Sequence, residues 1–361
     1  MNTDPHSYIL SEEESRAIFE RVIVPAELGF LPPVTPDNAD NINGDTKTAS
    51  SSRTPLAVLI IGQTGAGKTR TAPLLKTALT RLRSPHPLAH FVADTYKTYH
   101  PSYTPLLHSP TPSLASPATS PDARRWLLRA ARLAASQHID VLLESAARHP
   151  ADFAELATVF RREGYRVEVV VMAVPAALSR LGVLVRYYEG LPEAGPIGGL
   201  PVRLTPRRVH DESFGGLVEG AGFIDGVGGG GGKEGREEGK GDNGVVDQVV
   251  VVRRDNMVAY ANERVNGVWR RGPGVAEALR AERERPLTVM ERTGARESLR
   301  RLREMDVPGL ESQLEEIEEL LNPLLIDSDD GVYAPLRPLC LPNSSHDEKF
   351  DIEAGLRLGT I

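Results

Sequence analysis

The chain has 361 residues, with 42 Lys and Arg against 49 Asp and Glu and a formal net charge of -7, so a general nucleic-acid-binding role lacks its usual basic footprint. Cys340 is the only cysteine, which excludes an intramolecular disulfide or a cysteine-based metal cluster and fits a reducing, cytoplasmic setting. The amino terminus has neither a basic region nor a long apolar one, and the most apolar stretch, Val167 to Val174, ends at Pro175. Neither a signal peptide nor a membrane span is expected.

In chain order, Ser11 and Glu14 form a capping box, and Ile18, Phe19, Val22 and Ile23 give an apolar stripe on a short docking helix within residues 1–30 that should stop near Pro25. Residues 31–54 are rich in Pro, Asn, Asp, Thr and Ser and read as a flexible linker. The main domain is expected over residues 55–305. It opens with the apolar run Leu56 to Ile61, suited to a buried parallel strand. Gly62, Gly65, Gly67, Lys68 and Thr69 then fill the pattern G-x-x-x-x-G-K-[ST]. Glycines let the backbone N–H groups turn inward, the following helix adds its positive end, Lys68 reaches the β- and γ-phosphates, and Thr69 offers a hydroxyl to Mg²⁺. The nucleotide-binding set is therefore Gly62, Gly65, Ala66, Gly67, Lys68, Thr69 and Arg70, with ATP and Mg²⁺ as cofactors and Thr69 as the metal contact. Pro73 should kink the helix or loosen its first turns.

Beyond this loop, strands are expected around His90 to Ala93, Ile139 to Leu143 and Val167 to Ala173, with helices to about Leu82, from Asp122 to Ala135 and from Ala151 to Glu163. This alternation predicts an α/β fold: a three-layer sandwich with a mostly parallel central sheet, plus C-terminal helices. The Ser/Pro-rich stretch 104–121 reads as an extended surface insertion, and the glycine-rich stretch 226–244 as a disordered one. A hairpin should follow, turning at Arg254 to Asn256. Helices broken at Pro286 come next, the Arg-rich one presenting a solvated face. Residues 306–361 should add a short charged helix and a tail without periodicity.

Carboxylates at strand ends are the next candidates, because ligands of open α/β sheets sit outside the carboxyl ends of the strands. Asp94 could hold Mg²⁺ through water, accept the proton of an attacking hydroxyl, or simply cap a helix. Glu144 could be a Walker-B type carboxylate or a substrate contact. Arg186 and Arg203 follow the strand Val167 to Ala173 and could neutralise charge on a transferring phosphoryl group, although a single arginine is more often a surface residue. A guanine-reading switch would need N-K-x-D, and no Asn-Lys pair occurs in the chain.

The ordered set GQTGAGKT, DTYKTYHPSY, VLLESAARHP, GYRVEVVVMAVPAALSRLGVLVRYYE and RLTPRRVHDES resembles the zeta toxin family of P-loop kinases, over most of residues 55 to 300. The resemblance implies a P-loop NTPase fold and a kinase that transfers the γ-phosphate of ATP to the 3′-hydroxyl of UDP-N-acetylglucosamine. It implies Asp94 as the catalytic aspartate, acting with Lys68, Arg186 and Arg203, and Glu144, Arg148 and His100 on the substrate side. Bacterial members are toxins held by an antitoxin; nothing in this chain resembles one, and the sequence leaves a protein partner of that kind open, so the expected partner is a nucleotide sugar, with neither nucleic acid nor membrane. Where family members often read E-G-T, this chain has Glu144-Ser145-Ala146, and Thr64 stands where Pro is frequent. Both departures leave the transfer machinery in place and bear on the acceptor.

Overall fold

The computed structural model describes residues 4–30, 53–190, 204–226, 244–326, 333–344 and 350–360. Most of the linker 31–54 and of the glycine-rich stretch 226–244 therefore lies outside the described residues. An eight-stranded sheet forms the centre. Its first five strands are β1 (Leu56–Ile61), β2 (Leu88–Val92), β3 (Asp140–Ser145), β4 (Arg166–Met172) and β5 (Gln248–Val252). They lie in the order β2-β3-β1-β4-β5, all parallel. β6 (Met257–Val265) returns antiparallel to β5 through the expected hairpin turn, and the short β7 (Val268–Trp269) and β8 (Arg337–Pro338) pair with β6.

Alternation along β1 divides the core. Ala57, Leu59 and Ile61 face one layer, and Leu56, Val58 and Ile60 the other, all with no exposed surface. The first layer is covered by α5 (Ala115–Ser136), α6 (Pro150–Arg162), α8 (Arg207–Asp225) and α9 (Val275–Glu284), and it also receives Ile23 and Leu28 from the N-terminal segment, where the π-helical Phe19–Ile23 joins α1 (Glu12–Ile18) to α2 (Val24–Leu28). The second layer holds α3 (Lys68–Arg83), α7 (Ala176–Tyr188), α10 (Val289–Glu304) and α11 (Glu311–Leu321). A strand buried on both faces must be apolar throughout, which is why β1 reads as an unbroken aliphatic run.

Two expectations are corrected, those for the stretch 104–121 and for the end of the N-terminal helix. The stretch 104–121 is not an extended insertion: it contains α4 (Tyr103–Leu107), a 3₁₀ turn and the start of α5, and Leu106, Leu114, Ala115 and Ala118 are buried in a small cluster with Tyr103. Small side chains there serve close helix packing. α3 runs from Lys68 to Arg83 with Pro73 inside it. The N-terminal helix continues past Pro25, because a π-helical segment, Phe19–Ile23, takes bonds to residues five back and relieves the clash with the preceding turn. The C-terminal tail, which has no periodicity in sequence, is packed on the core: Leu356 and Leu358 are fully buried, and the N–H groups of Leu358 and Gly359 donate to the buried carboxylate of Glu168 at 2.9 and 3.0 Å.

Candidate functional site

The phosphate-loop glycines are set by geometry. Gly65 and Gly67 have φ of 80° and 95°, and a Cβ on Gly65 would lie 2.1 Å from the carbonyl oxygen of Ser179. Side chains avoid both conditions, so these positions turn successive N–H groups into one concavity at the start of α3. Lys68 Nζ donates to the carbonyls of Gly62 at 2.7 Å and Gln63 at 3.4 Å. Thr69 and Arg70 are exposed, and Gly62 N–H donates to Ser145 O at 3.2 Å, tying the loop to the end of β3.

A cavity of about 470 Å³ opens beside the loop, lined by Thr64, Asp94, Lys97, Arg124, Ser145 and Arg148 among others. Asp94 sits in the 3₁₀ helix Ala93–Tyr99 directly after β2. Its Oδ1 accepts from Lys97 Nζ at 2.6 Å; the aspartate side chain is 40% exposed and the lysine 13%. Arg148 reaches the cavity from the β3–α6 connection and is held by Glu212 of α8, with Nε donating at 2.7 Å. Ala147 in the same connection adopts φ of 49°, a left-handed conformation that a non-glycine residue keeps only where its surroundings enforce it. Burial, followed by the charge on Arg124, lowers the pKa of His149, and burial raises that of Asp152, so both groups favour their neutral forms more than in water.

Other expected site residues lie elsewhere. Glu144 stands at the end of β3, but it is 5% exposed and its Oε1 bonds His90 Nε2 at 3.0 Å; its neighbours Ser145, Ala146 and Ala147 line the cavity instead. His100 is withdrawn from the substrate side: it is 2% exposed, its Nε2 meets the carbonyl of Tyr8 at 3.1 Å and its Nδ1 accepts from Ser102 N–H. Arg186 on α7 donates to Thr205 Oγ1 at 3.3 Å, and Thr205 lines the cavity, so the guanidinium stands one residue behind the wall. Arg203 lies outside the described residues.

Sequence reading missed several contributors. Lys97 lies one helical turn from Asp94, a spacing that pairs side chains, and could have been noticed. Arg124 and Arg125 sit on α5 and line the cavity. Ile9 of the N-terminal segment also lines it. That segment is fixed by Trp126 Nε1 donating to Ser15 O at 2.9 Å, by Tyr99 OH donating to Glu27 at 2.7 Å and by ion pairs from Arg125 and Arg129 to Glu12. Arg254, in the β5–β6 turn, lies against the phosphate loop. Among the described residues no group of three or more His, Cys, Asp and Glu side chains is placed to hold a metal ion, and no helix is long and apolar enough to cross a membrane.

The zeta toxin family model matches residues 39–228, more than half of the chain. Toxin PezT of Streptococcus pneumoniae serotype 4 (strain ATCC BAA-334 / TIGR4) is 26% identical over 184 residues, which cover 50% of this chain and 68% of that protein. Toxin zeta of Streptococcus pyogenes is 28% identical over 175 residues, covering 48% and 56%. The chain therefore matches little more than half of the latter's length. A solved structure from work on the PezAT chromosomal toxin-antitoxin system of Streptococcus pneumoniae aligns with a TM-score of 0.51 and 17% identity over 89% of this chain and 100% of that one, a likeness of fold.

Proposed function

This chain belongs to the zeta toxin family, and from that premise we propose that it is an ATP-dependent kinase acting on a hydroxyl of a nucleotide sugar, with the 3′-hydroxyl of UDP-N-acetylglucosamine the leading acceptor. One observation carries the reading. A single cavity joins Thr64 of the phosphate loop to the carboxylate of Asp94 on the next strand end, so a triphosphate on the loop and a hydroxyl beside Asp94 would face each other across one cleft.

In this mechanism the N–H groups of the loop and Lys68 bind the β- and γ-phosphates. Asp94 takes the proton of the acceptor hydroxyl as that oxygen attacks the γ-phosphorus; the bond from phosphorus to the β,γ-bridging oxygen breaks, and ADP leaves. Lys97 fixes the Asp94 carboxylate through the 2.6 Å hydrogen bond. Arg148 and Arg124 give the acceptor side of the cleft positive charge suited to a diphosphate. Arg186 and Arg203 are proposed to neutralise charge on the transferring group. Mg²⁺ fits the exposed hydroxyl of Thr69, since this ion keeps most of its ligands as phosphate oxygens and water, and it supplies further charge neutralisation when bound.

A second reading keeps the reaction and changes the acceptor. The cleft is lined at Ser145 and Ala146, where the family's E-G-T pattern is absent, so a different small-molecule hydroxyl would be accommodated there. The test is mass spectrometry of small molecules after incubation with Mg-ATP and a panel of UDP-sugars, with Lys68→Met as control. A phosphorylated UDP-N-acetylglucosamine made only by the unaltered protein supports the first reading. ADP formation dependent on another acceptor supports the second.

A further inference from the structure

The turn between β5 and β6, Arg253 to Asn256, lies beyond the stretch matched by the family model, yet it is fastened to the phosphate loop. Arg254 Nη2 donates to the carbonyl of Gly65 at 2.6 Å and Nη1 to that of Leu178 at 3.3 Å. Asn256 Oδ1 accepts from Thr71 Oγ1 at 2.6 Å. The two arginines of the turn differ in compensation. Arg253, 1% exposed, is neutralised by Glu282 and Glu291, each at 2.6 Å. Arg254 donates to carbonyl oxygens: among the described residues no carboxylate lies within salt-bridge distance of it, and its buried Nε has no hydrogen-bond partner.

The chain makes room for this cation. A Cβ on Gly182 would fall 1.9 Å from Arg254 Nη2, and one on Gly67 would fall 3.1 Å from its Cγ. Both positions are glycine. Burial, and then the charge of Arg70, pull the guanidinium down to a pKa of about 10 against a smaller opposing pull from Glu291, so a charge sits against the loop with no counterion in contact. A partly buried charge with no counterion in contact is costly, whereas a polyphosphate in the loop would bring negative charge to it.

We propose that Arg254 is a positioning residue of the nucleotide site: it holds the Gly65 carbonyl outward, keeping the loop N–H groups turned to the phosphates, and it supplies positive potential from behind the loop. The assignment rests on the nucleotide reading of the loop and is independent of the acceptor.

The experiment uses the full chain as wild type, Arg254→Met and Arg254→Lys, with thermal denaturation in the absence of ATP and ATP titration with and without Mg²⁺. Arg254→Met should melt at or above the wild-type temperature without ATP, because it removes a desolvated charge, yet bind ATP about tenfold more weakly. Wild-type ATP affinity in Arg254→Met, at any melting temperature, overturns the proposal. Should the methionine variant not fold, Arg254→Lys decides. It keeps a cation but cannot bridge Gly65 and Leu178, so several-fold weaker binding supports the assignment and unchanged affinity overturns it. A wild type that binds no ATP defeats the nucleotide reading and this assignment with it; equal binding by wild type and Arg254→Met defeats the assignment alone.

Discussion

Replacing Asp94 by Asn should separate chemistry from binding. Asparagine retains the shape and one acceptor oxygen for Lys97 Nζ, now at 2.6 Å from Oδ1, whereas alanine would take that acceptor from a lysine only 13% exposed. What asparagine removes is the base. General-base catalysis contributes roughly 10²- to 10⁴-fold, or about 3–5 kcal/mol of barrier, so turnover should fall by that factor. The stability cost should be small: with the aspartate side chain 40% exposed, such an ion pair is worth about 0–1 kcal/mol. ATP affinity should stay within about threefold, because the loop N–H groups and Lys68 that grip phosphates are untouched. Single-turnover quench of Mg-ATP with the acceptor, alongside ATP titration of the same preparation, reads both quantities. Turnover within about tenfold of wild type would refute the base assignment. Loss of ATP binding would replace it with a metal or structural role.

Three other outcomes follow from the geometry. Gly182→Ala on α7 should lower both melting temperature and ATP affinity, although alanine ordinarily favours a helix by about 1 kcal/mol, because its Cβ would sit 1.9 Å from Arg254 and 2.9 Å from Gly65 O; a raised melting temperature with unchanged binding would contradict this. Arg83→Met should cost about 3–5 kcal/mol in urea denaturation, since Arg83 and Asp140 are 4% and 3% exposed and meet at 2.6 Å; strict additivity with Asp140→Asn in a double-mutant cycle would count against the coupling. Burial lowers the pKa of His210 from 6.5 in the folded protein, so the unfolded chain binds protons that the folded chain resists. Stability should therefore fall as pH drops below about 6.5, at up to about 1.4 kcal/mol per pH unit for this group, and His210→Gln should flatten that limb of a denaturation series.

The legible residues share a property with physical content: their roles are set within a few positions of themselves. The phosphate loop follows from glycine spacing and the aliphatic run before it, and the parallel order from strand and helix periodicity. What stayed hidden is set by segments far away in sequence. His100 follows a motif aspartate and reads as a ligand, but its ring bonds the carbonyl of Tyr8, 92 residues earlier. The stretch 104–121 reads as extended from its serines and prolines, yet Thr119 and Ser120 return their hydroxyls to the carbonyls four residues back inside α5, and the alanines beside them pack tightly because they are small. A misread helix also hides its cargo: with the helix expected only from Asp122, Arg124 and Arg125 fall in its first turn, and nothing local marks them as a wall of the cleft. Arg254 is the sharpest case. A charged residue in a hairpin turn is ordinarily solvated, and only the approach of Gly65, 189 positions earlier, turns it into a partly buried cation at the phosphate loop. The local motif thus defines where phosphate binds, while the charge balance around that phosphate depends on contacts that no local pattern encodes.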